Sequence, residues 1–299
     1  MNIEFLDKFY QAFFIPSVNV DELIKDLVKA LNTAWPTNDQ EIVQFVQACR
    51  DHPLTKILEE SPLVKYALHD AARWGDSIIG DARMLKYLYQ RSDGISIPEL
   101  DTASTLAKAI TLHLTSCPAA LGVVARRNHI ASLIEKLEGK KILSVACGLL
   151  PELQNISLAS TLIALDTDPK TINELLQEYR SFSNVRPIKG NILRLRTNKD
   201  VESEFDLIYS LGLLDYFKKD TAIFALKQMY TFLRKGGTLI VANFTNHGYM
   251  HFMHTFMRWH LIYRTEEEMR SLVKHFSAIV SLTLEENQTI WLLEIKKPL

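Results

Sequence analysis

Cysteine is scarce. Cys49, Cys117 and Cys147 are the only three in 299 residues, too few and too scattered for a disulfide framework or a zinc site of paired thiolates. Their odd number fits a reducing, cytoplasmic setting. Long apolar runs are missing as well: no stretch reaches the roughly 18 unbroken apolar residues of a membrane span. Glu4 and Asp7 stand where a secretory leader is basic, which argues against secretion. An excess of charge of one sign is also lacking. The balance is 34 Lys+Arg against 35 Asp+Glu, a formal −1, so the chain as a whole offers no phosphate track for nucleic acid. Glycine is sparse at 11 residues. No G-x-G-x-x-G occurs, so a dinucleotide fits poorly.

What is present is an ordinary globular composition, 47% hydrophobic and 23% charged, with ample material for a core. Residues 1 to about 138 read as helical. Apolar residues recur at spacings of three and four, as in Leu23, Leu27 and Leu31, then Ile42, Phe45 and Val46, then Met84, Leu85 and Leu88, which is the period of a helix face. Pro36, Pro53, Pro62 and Pro98 punctuate these segments. Asp101 is the expected cap of a helix running toward Ile110.

From Lys140 the texture changes. Short apolar runs predict strands near 142–146, 162–166, 186–188, 207–210 and 238–243, with helices near 169–180 and 221–233 between them. This βαβα order implies a parallel sheet covered on both faces. Residues 277–297 differ. Two apolar runs flank Glu285-Glu286-Asn287 and read as an antiparallel hairpin that closes the sheet.

Ligands of such sheets bind outside the carboxyl ends of the strands. The first strand ends on Ala146-Cys147-Gly148, a small-residue turn open to close backbone approach. The second ends on Asp166-Thr167, about 20 residues on, where an acid can accept both hydroxyls of a ribose. Asp168 followed by Pro169 reads as a helix cap. Asn191, with Ile192, follows the third strand; its amide suits an adenine edge or serves only as a turn residue. The fourth strand runs out through Ser210, Leu211 and Gly212, bordering the same crevice.

In this order and spacing the series resembles the class I S-adenosylmethionine-dependent methyltransferases. The resemblance implies an α/β, Rossmann-like seven-stranded sheet with a reversed last strand, here preceded by an N-terminal all-helical domain. Residues 1–115 would form that helical domain, an acceptor pocket or lid, and 116–299 the cofactor-binding domain. The implied cofactor is S-adenosyl-L-methionine, held by Ala146, Cys147, Gly148, Asp166, Thr167, Asn191, Ile192, Ser210, Leu211 and Gly212. Two departures stand out. Ser144 occupies the place of the usual early acid, and the usual G-x-G-x-G is reduced to Ala146-Cys147-Gly148.

A narrower resemblance reaches into the helical half. "IIGDARMLKYLY" (78–89), "CPAALGVVARRNHIASLI" (117–134), "YSLGLLDYF" (209–217) and "WHLIYRTEEEM" (259–269) are similar to the family that makes 3-hydroxypalmitic acid methyl ester, a quorum-sensing signal. It implies a small-molecule methyl acceptor, a hydroxy fatty-acid carboxylate with its acyl chain. Such a carboxylate is already ionised at neutral pH and needs no general base. The candidate acceptor-side residues are Asp215, Tyr216, Tyr263 and Arg264, with Asp81 and Met84 closing the crevice from the helical half, and His247, close after the fifth strand, is the candidate general base. Arg264 is suited to a bidentate carboxylate pair or to an ion pair with Glu266 or another acid. His247 leads a run of histidines, with His251 and His254 at helical spacing; without H-E-x-x-H or an interleaved carboxylate, no metal is expected. The pair Arg126–Arg127 is either a solvated helix face or a contact to an anionic group. The alternative to catalysis is a non-catalytic cofactor sensor or scaffold. Nucleic-acid methylation is disfavoured, since the fourth-strand motif lacks the N/D-P-P-Y pattern used on exocyclic amines.

Overall fold

The computed structural model describes residues 3–74 and 82–299; Asp81 lies outside them. The chain divides into two compact units. One comprises Met1–Leu121 with His247–Leu261, the other Gly122–Asn246 with Ile262–Leu299. This division differs from a simple cut after residue 115. The first unit keeps six further residues and takes in a segment far along the chain.

The helical unit contains α1 (Phe5–Ala12), α2 (Val20–Ala34), α3 (Asp39–Asp51), α4 (Leu54–Leu58), α5 (Pro62–Trp74), α6 (Ala82–Ser92), α7 (Pro98–Asp101) and α8 (Thr105–Ser116), and the first turn of α9 (Pro118–Glu135). Helix starts follow side-chain chemistry. The Asn19 and Asn38 side chains accept the Glu22 and Glu41 amides, satisfying donors that the first turn leaves orphaned. The cap of α8 is Ser104, accepting from Ala107 N. Asp101 instead ends the short helix begun by Pro98, so the cap lies three residues later than the sequence reading has it. Leu27, Leu31, Phe45, Val46, Met84 and Leu88 are buried, as their spacing requires.

Residues 247–261 join this unit through side chains that the sequence places far away. Asn32 donates to Gly248 O at 2.8 Å and shares a 2.9 Å hydrogen bond with His251 Nδ1. Arg50 donates to Thr255 O and His254 O, both at 3.0 Å. Trp35 stacks flat on His251, ring centroids 3.9 Å apart.

The second unit is built on a seven-stranded sheet of order β3-β2-β1-β4-β5-β7-β6. Its strands are β1 (Lys141–Val145), β2 (Thr161–Asp166), β3 (Val185–Lys189), β4 (Phe205–Ser210), β5 (Leu233–Phe244), β6 (Ile279–Leu284) and β7 (Ile290–Lys296). Strands β1 to β5 run parallel, and β7 is antiparallel to both β5 and β6. The expected reversed strand therefore inserts between β5 and the edge. Side chains alternate across the pleat. Leu143, Val145, Ile163, Leu165, Ile208, Leu239 and Val241 pack with α11 (Lys219–Phe232) and α13 (Glu266–Ser271). Their neighbours of opposite parity, Ile142, Leu162, Ala164, Leu207, Tyr209 and Ile240, pack with α9 and α10 (Pro169–Glu178). Helix α12 (Met250–Phe256) lies in the helical unit. Two faces covered by helices explain why the parallel strands read as continuous apolar runs.

Candidate cofactor and acceptor site

The carboxyl ends of β1 and β2 are tied together by one side chain. Asp166 Oδ2 accepts the Gly148 amide at 3.1 Å and Oδ1 accepts the Asp168 amide at 3.0 Å. Burial raises the Asp166 carboxyl above its usual range, opposed by these amides. The turn that Asp166 holds is left-handed at Ala146 (φ 52°), Gly148 (φ 55°) and Leu150 (φ 49°). Glycine takes this conformation freely, whereas alanine and leucine take it at a cost of order 1 kcal/mol each. Cys147 is buried within the turn and its amide donates to Leu165 O.

Asp168 caps α10, accepting from Lys170 N and Thr171 N, with Pro169 at the first helical position. Thr167 lies exposed between the two acids. At the end of β3, Asn191 Oδ1 accepts the Leu193 amide and starts a short 3-10 helix, 192–197; Ile192 beside it is buried. The turn reading of Asn191 is thus realised, and its amide nitrogen remains for a ligand edge. A Cβ at Gly190 would stand 2.5 Å from Leu165 Cδ1 and 2.7 Å from Asn198 Nδ2, so a larger residue there needs those side-chain ends to move.

Between β1 and β4 lies an acid that sequence inspection missed. Glu152, in the 3-10 turn Pro151–Leu153, is buried and accepts the Tyr209 hydroxyl. Burial raises its carboxyl, with the Tyr209 hydrogen bond and the Arg127 charge pulling the other way. Ser144 hydrogen-bonds the same phenol. The signal available was a single glutamate inside the apolar run Leu149–Leu153. At the end of β4, Ser210 is fully buried and its hydroxyl has no partner. Leu211 and Gly212, next in line, are half-buried.

A second cluster gathers on Asp215. This residue is 2% exposed; its Oδ1 accepts the Phe244 amide at 2.7 Å and its carbonyl accepts the Ile262 amide at 2.7 Å. Burial pushes its carboxyl up to about 6, against the pull of Arg126 and Arg264. Arg264 does not wait for a ligand, nor does it pair with Glu266, which binds Arg270 instead. Its Nη1 donates to Leu214 O at 2.8 Å and to Asn243 Oδ1, and its Nη2 donates to Phe217 O. The guanidinium is consumed in binding the loop after β4 to the end of β5. Tyr263 packs edge-on against Phe244, and burial, with the Asp215 and Tyr216 charges, keeps its phenol protonated. Tyr216, Tyr263 and Arg264 are therefore brought together around Asp215.

His247 belongs to the helical unit. Its Nδ1 accepts the Tyr249 amide, and burial lowers its pKa to about 4, so it is neutral at pH 7. His251 is held by Trp35 and Asn32, and His254 contacts His260 at 3.2 Å between Nδ1 atoms. Among the described residues no cluster of three His, Cys, Asp or Glu side chains is arranged to hold a metal. A cleft of about 710 Å³ also lies in the helical unit, lined by Lys65, Tyr66, Glu99 and Ser104 among others. It contains none of the expected site residues.

Residues 142–237 match the model of the methyltransferase-domain family. That segment runs from β1 into β5 and carries every strand-end residue from Ala146 to Gly212. The methyl donor of the family is S-adenosylmethionine, and the sheet is the Rossmann-like sheet of class I methyltransferases. A possible exported protein from Bordetella parapertussis has a similar structure (TM-score 0.65, 16% identity, 82% of this chain and 86% of that one). So does magnesium protoporphyrin IX methyltransferase from Synechocystis PCC 6803 with bound S-adenosylhomocysteine (TM-score 0.50, 12% identity, 71% and 93%). At these identities the likeness is one of fold. No curated protein matches the chain by sequence. Among the described residues no single helix is long and apolar enough to cross a membrane.

The residues present fit an adenosyl ligand. Asp166 accepts the Gly148, Asp168 and Thr167 amides, and its two oxygens keep acceptor capacity for a sugar hydroxyl. The orphaned Ser210 hydroxyl supplies a further polar contact at the neighbouring strand end.

Proposed function

We propose that this chain catalyses S-adenosylmethionine-dependent methylation of a small-molecule carboxylate, the acceptor being a hydroxy fatty acid. The observation that carries the methyltransferase reading is the Asp166 clamp, a half-buried carboxylate fixed on Gly148 at the β1–β2 crevice. When bound, S-adenosylmethionine supplies an electrophilic methyl group on a sulfonium. Asp166 grips the ribose hydroxyls. The Ala146–Gly148 turn and the Ser210–Gly212 loop line the arm, with Thr167, Asn191 and Ile192 on the adenine side.

The carboxylate acceptor is favoured by what the Asp215 cluster holds. Tyr263 is a protonated phenol at neutral pH, and Asp215 is committed to the Phe244 amide. A carboxylate acceptor asks neither of them to take a proton, because it arrives ionised. Its oxygen takes the methyl group, the sulfur keeps the bonding electrons, and the product is a neutral ester. The resemblance of four segments to the 3-hydroxypalmitic acid methyl ester family supports the acyl part of the assignment.

Calorimetry with S-adenosylhomocysteine tests the cofactor site. Asp166→Ala should weaken binding by about 100-fold, the loss of two charge-assisted hydrogen bonds. Binding unchanged by the substitution refutes the ribose role. Incubation with labelled cofactor and hydroxy fatty acids should give a base-labile methyl ester. One observation favours the sensor reading, namely that an exposed alanine, Ala146, holds a left-handed position in this turn. Robust turnover by the wild type eliminates it.

A further inference from the structure

Arg126, on α9 within the sheet-bearing unit, is 2% exposed. Its Nε and Nη1 find no hydrogen-bond partner. Asp215 Oδ2 lies 3.9 Å from Nη1, outside hydrogen-bond length. The Phe244 ring flanks the guanidinium at 5.6 Å. A buried arginine and carboxylate that do not close on one another leave both charges poorly compensated, which is costly. Buried donors without acceptors are rare in native proteins and ask for an occupant. Arg264, on the same Asp215, gives the contrast, because its donors are filled by Leu214 O, Phe217 O and Asn243 Oδ1. The remaining edge of the Arg126 fork faces the loop after β4: a Cβ on Gly212 would meet Nη2 at 3.5 Å. That loop borders the crevice.

We propose that the Arg126 fork receives the carboxylate of the methyl acceptor, with Asp215 and Phe244 holding the guanidinium in place. The proposal rests on the carboxylate-acceptor reading above and moves the anion-binding role from Arg264 to Arg126. Planar, bidentate pairing suits a guanidinium to a carboxylate. Strand order sets the side on which the acceptor lies. Asp166 closes β2, while the Arg126 head sits by the ends of β4 and β5, two or three strand spacings away, about 10–14 Å. Ribose and transferable methyl are only a few bonds apart, so this position lies past the methyl, where the acceptor must be. The amino-acid arm of the cofactor carries a carboxylate of the same chemistry, and the experiment must separate the two.

The full chain is titrated with S-adenosylhomocysteine, and then, saturated with it, with decanoate and with the uncharged decanamide. Wild type should prefer decanoate by about tenfold or more. Arg126→Gln should erase that preference, raising the decanoate Kd about 30-fold and leaving the decanamide and S-adenosylhomocysteine constants within about twofold. Arg126→Lys keeps the charge but not the fork. It should fold where the glutamine variant does not, and retain part of the preference. A fall in S-adenosylhomocysteine affinity with acid preference intact would assign the fork to the cofactor and overturn the proposal. So would a wild type indifferent to the charge, or variants that keep the preference. Wild type that selects decanoate through Arg126 but forms no ester would refute catalysis and leave the anion site standing.

Discussion

Replacing Arg264 by alanine should unfold the protein before it affects any ligand. Three acceptors depend on this guanidinium: Leu214 O, Phe217 O and Asn243 Oδ1. Arg264 is only 4% exposed, so water cannot easily replace it. Each buried acceptor left unpaired costs roughly 1–3 kcal/mol. Asp215 also loses one of the two positive charges that oppose its burial. The expected loss is about 3–5 kcal/mol, a large part of the ~5–15 kcal/mol that holds a typical domain together. Urea denaturation followed by tryptophan fluorescence reads this directly, because the Trp291 indole donates to Arg264 O at 3.0 Å. Arg264→Lys, which keeps the charge and loses the fork, should fall between wild type and alanine. A variant that unfolds within about 1 kcal/mol of wild type and shows only a raised acceptor KM would refute the structural role and restore Arg264 as the acceptor's anchor.

Two further outcomes follow from charge and backbone. Asp215 is held near 6 when folded, against an ordinary 3.8. Between those values the folded state keeps a proton that the unfolded state has lost, so stability falls as pH rises through that window, by roughly 3 kcal/mol in all. Asp215→Asn should abolish that component, so the stability difference between wild type and variant should shift by this amount from pH 4 to pH 7; parallel denaturation profiles would contradict it. Ala146→Gly removes a left-handed alanine at φ 52° and should raise stability by about 0.5–1 kcal/mol, where a glycine in ordinary backbone lowers it. A clear fall in the melting temperature would mean that the turn is not strained.

The sheet was legible because its strands are buried on both faces. Runs such as Leu162–Leu165 cannot pair with water on either side, and their ends fall within a residue or two of the expected ones. Strand β5 is the exception. It begins at Leu233 rather than near Thr238, because Leu233 already pairs with Phe205, and Arg234–Gly237, which carry no apolar pattern, form an irregularity in the pairing before Thr238 meets Leu207. The position of residues 247–261 was not legible. It depends on Asn32, Trp35 and Arg50, more than 190 residues upstream, and no local spacing encodes that. Of the two readings of Arg126–Arg127, burial of both side chains rules out the solvated helix face. Arg126 falls on the stripe Val123, Ile130 and Ile134, all fully buried, and a charge on an apolar helical stripe signals a buried partner or a ligand. Arg264 misled the reading because an arginine after a strand looks the same whether its fork meets a substrate or the backbone.

The eroded first motif carries a physical lesson about what the family's early acid supplies. Ser144 stands in its place, which by residue matching reads as a loss. Yet a carboxylate is still buried between β1 and β4. It comes from Glu152, one 3-10 turn beyond the strand, and Tyr209 bridges the two by donating to Glu152 and accepting from Ser144. A buried acid of this kind persists only where donors offset its desolvation, and the phenol on β4 together with the Arg127 charge does so. Its cost is set by environment and not by chain position, so Glu152, eight residues after Ser144, is tolerated where the phenol meets it. The same holds at Ala146. The turn needs a left-handed backbone, and alanine takes it at a penalty of about 1 kcal/mol that the Asp166 hydrogen bonds to Gly148 and Asp168 offset. The left-handed backbone and the buried acid at this strand end thus rest on Ala146 and Glu152.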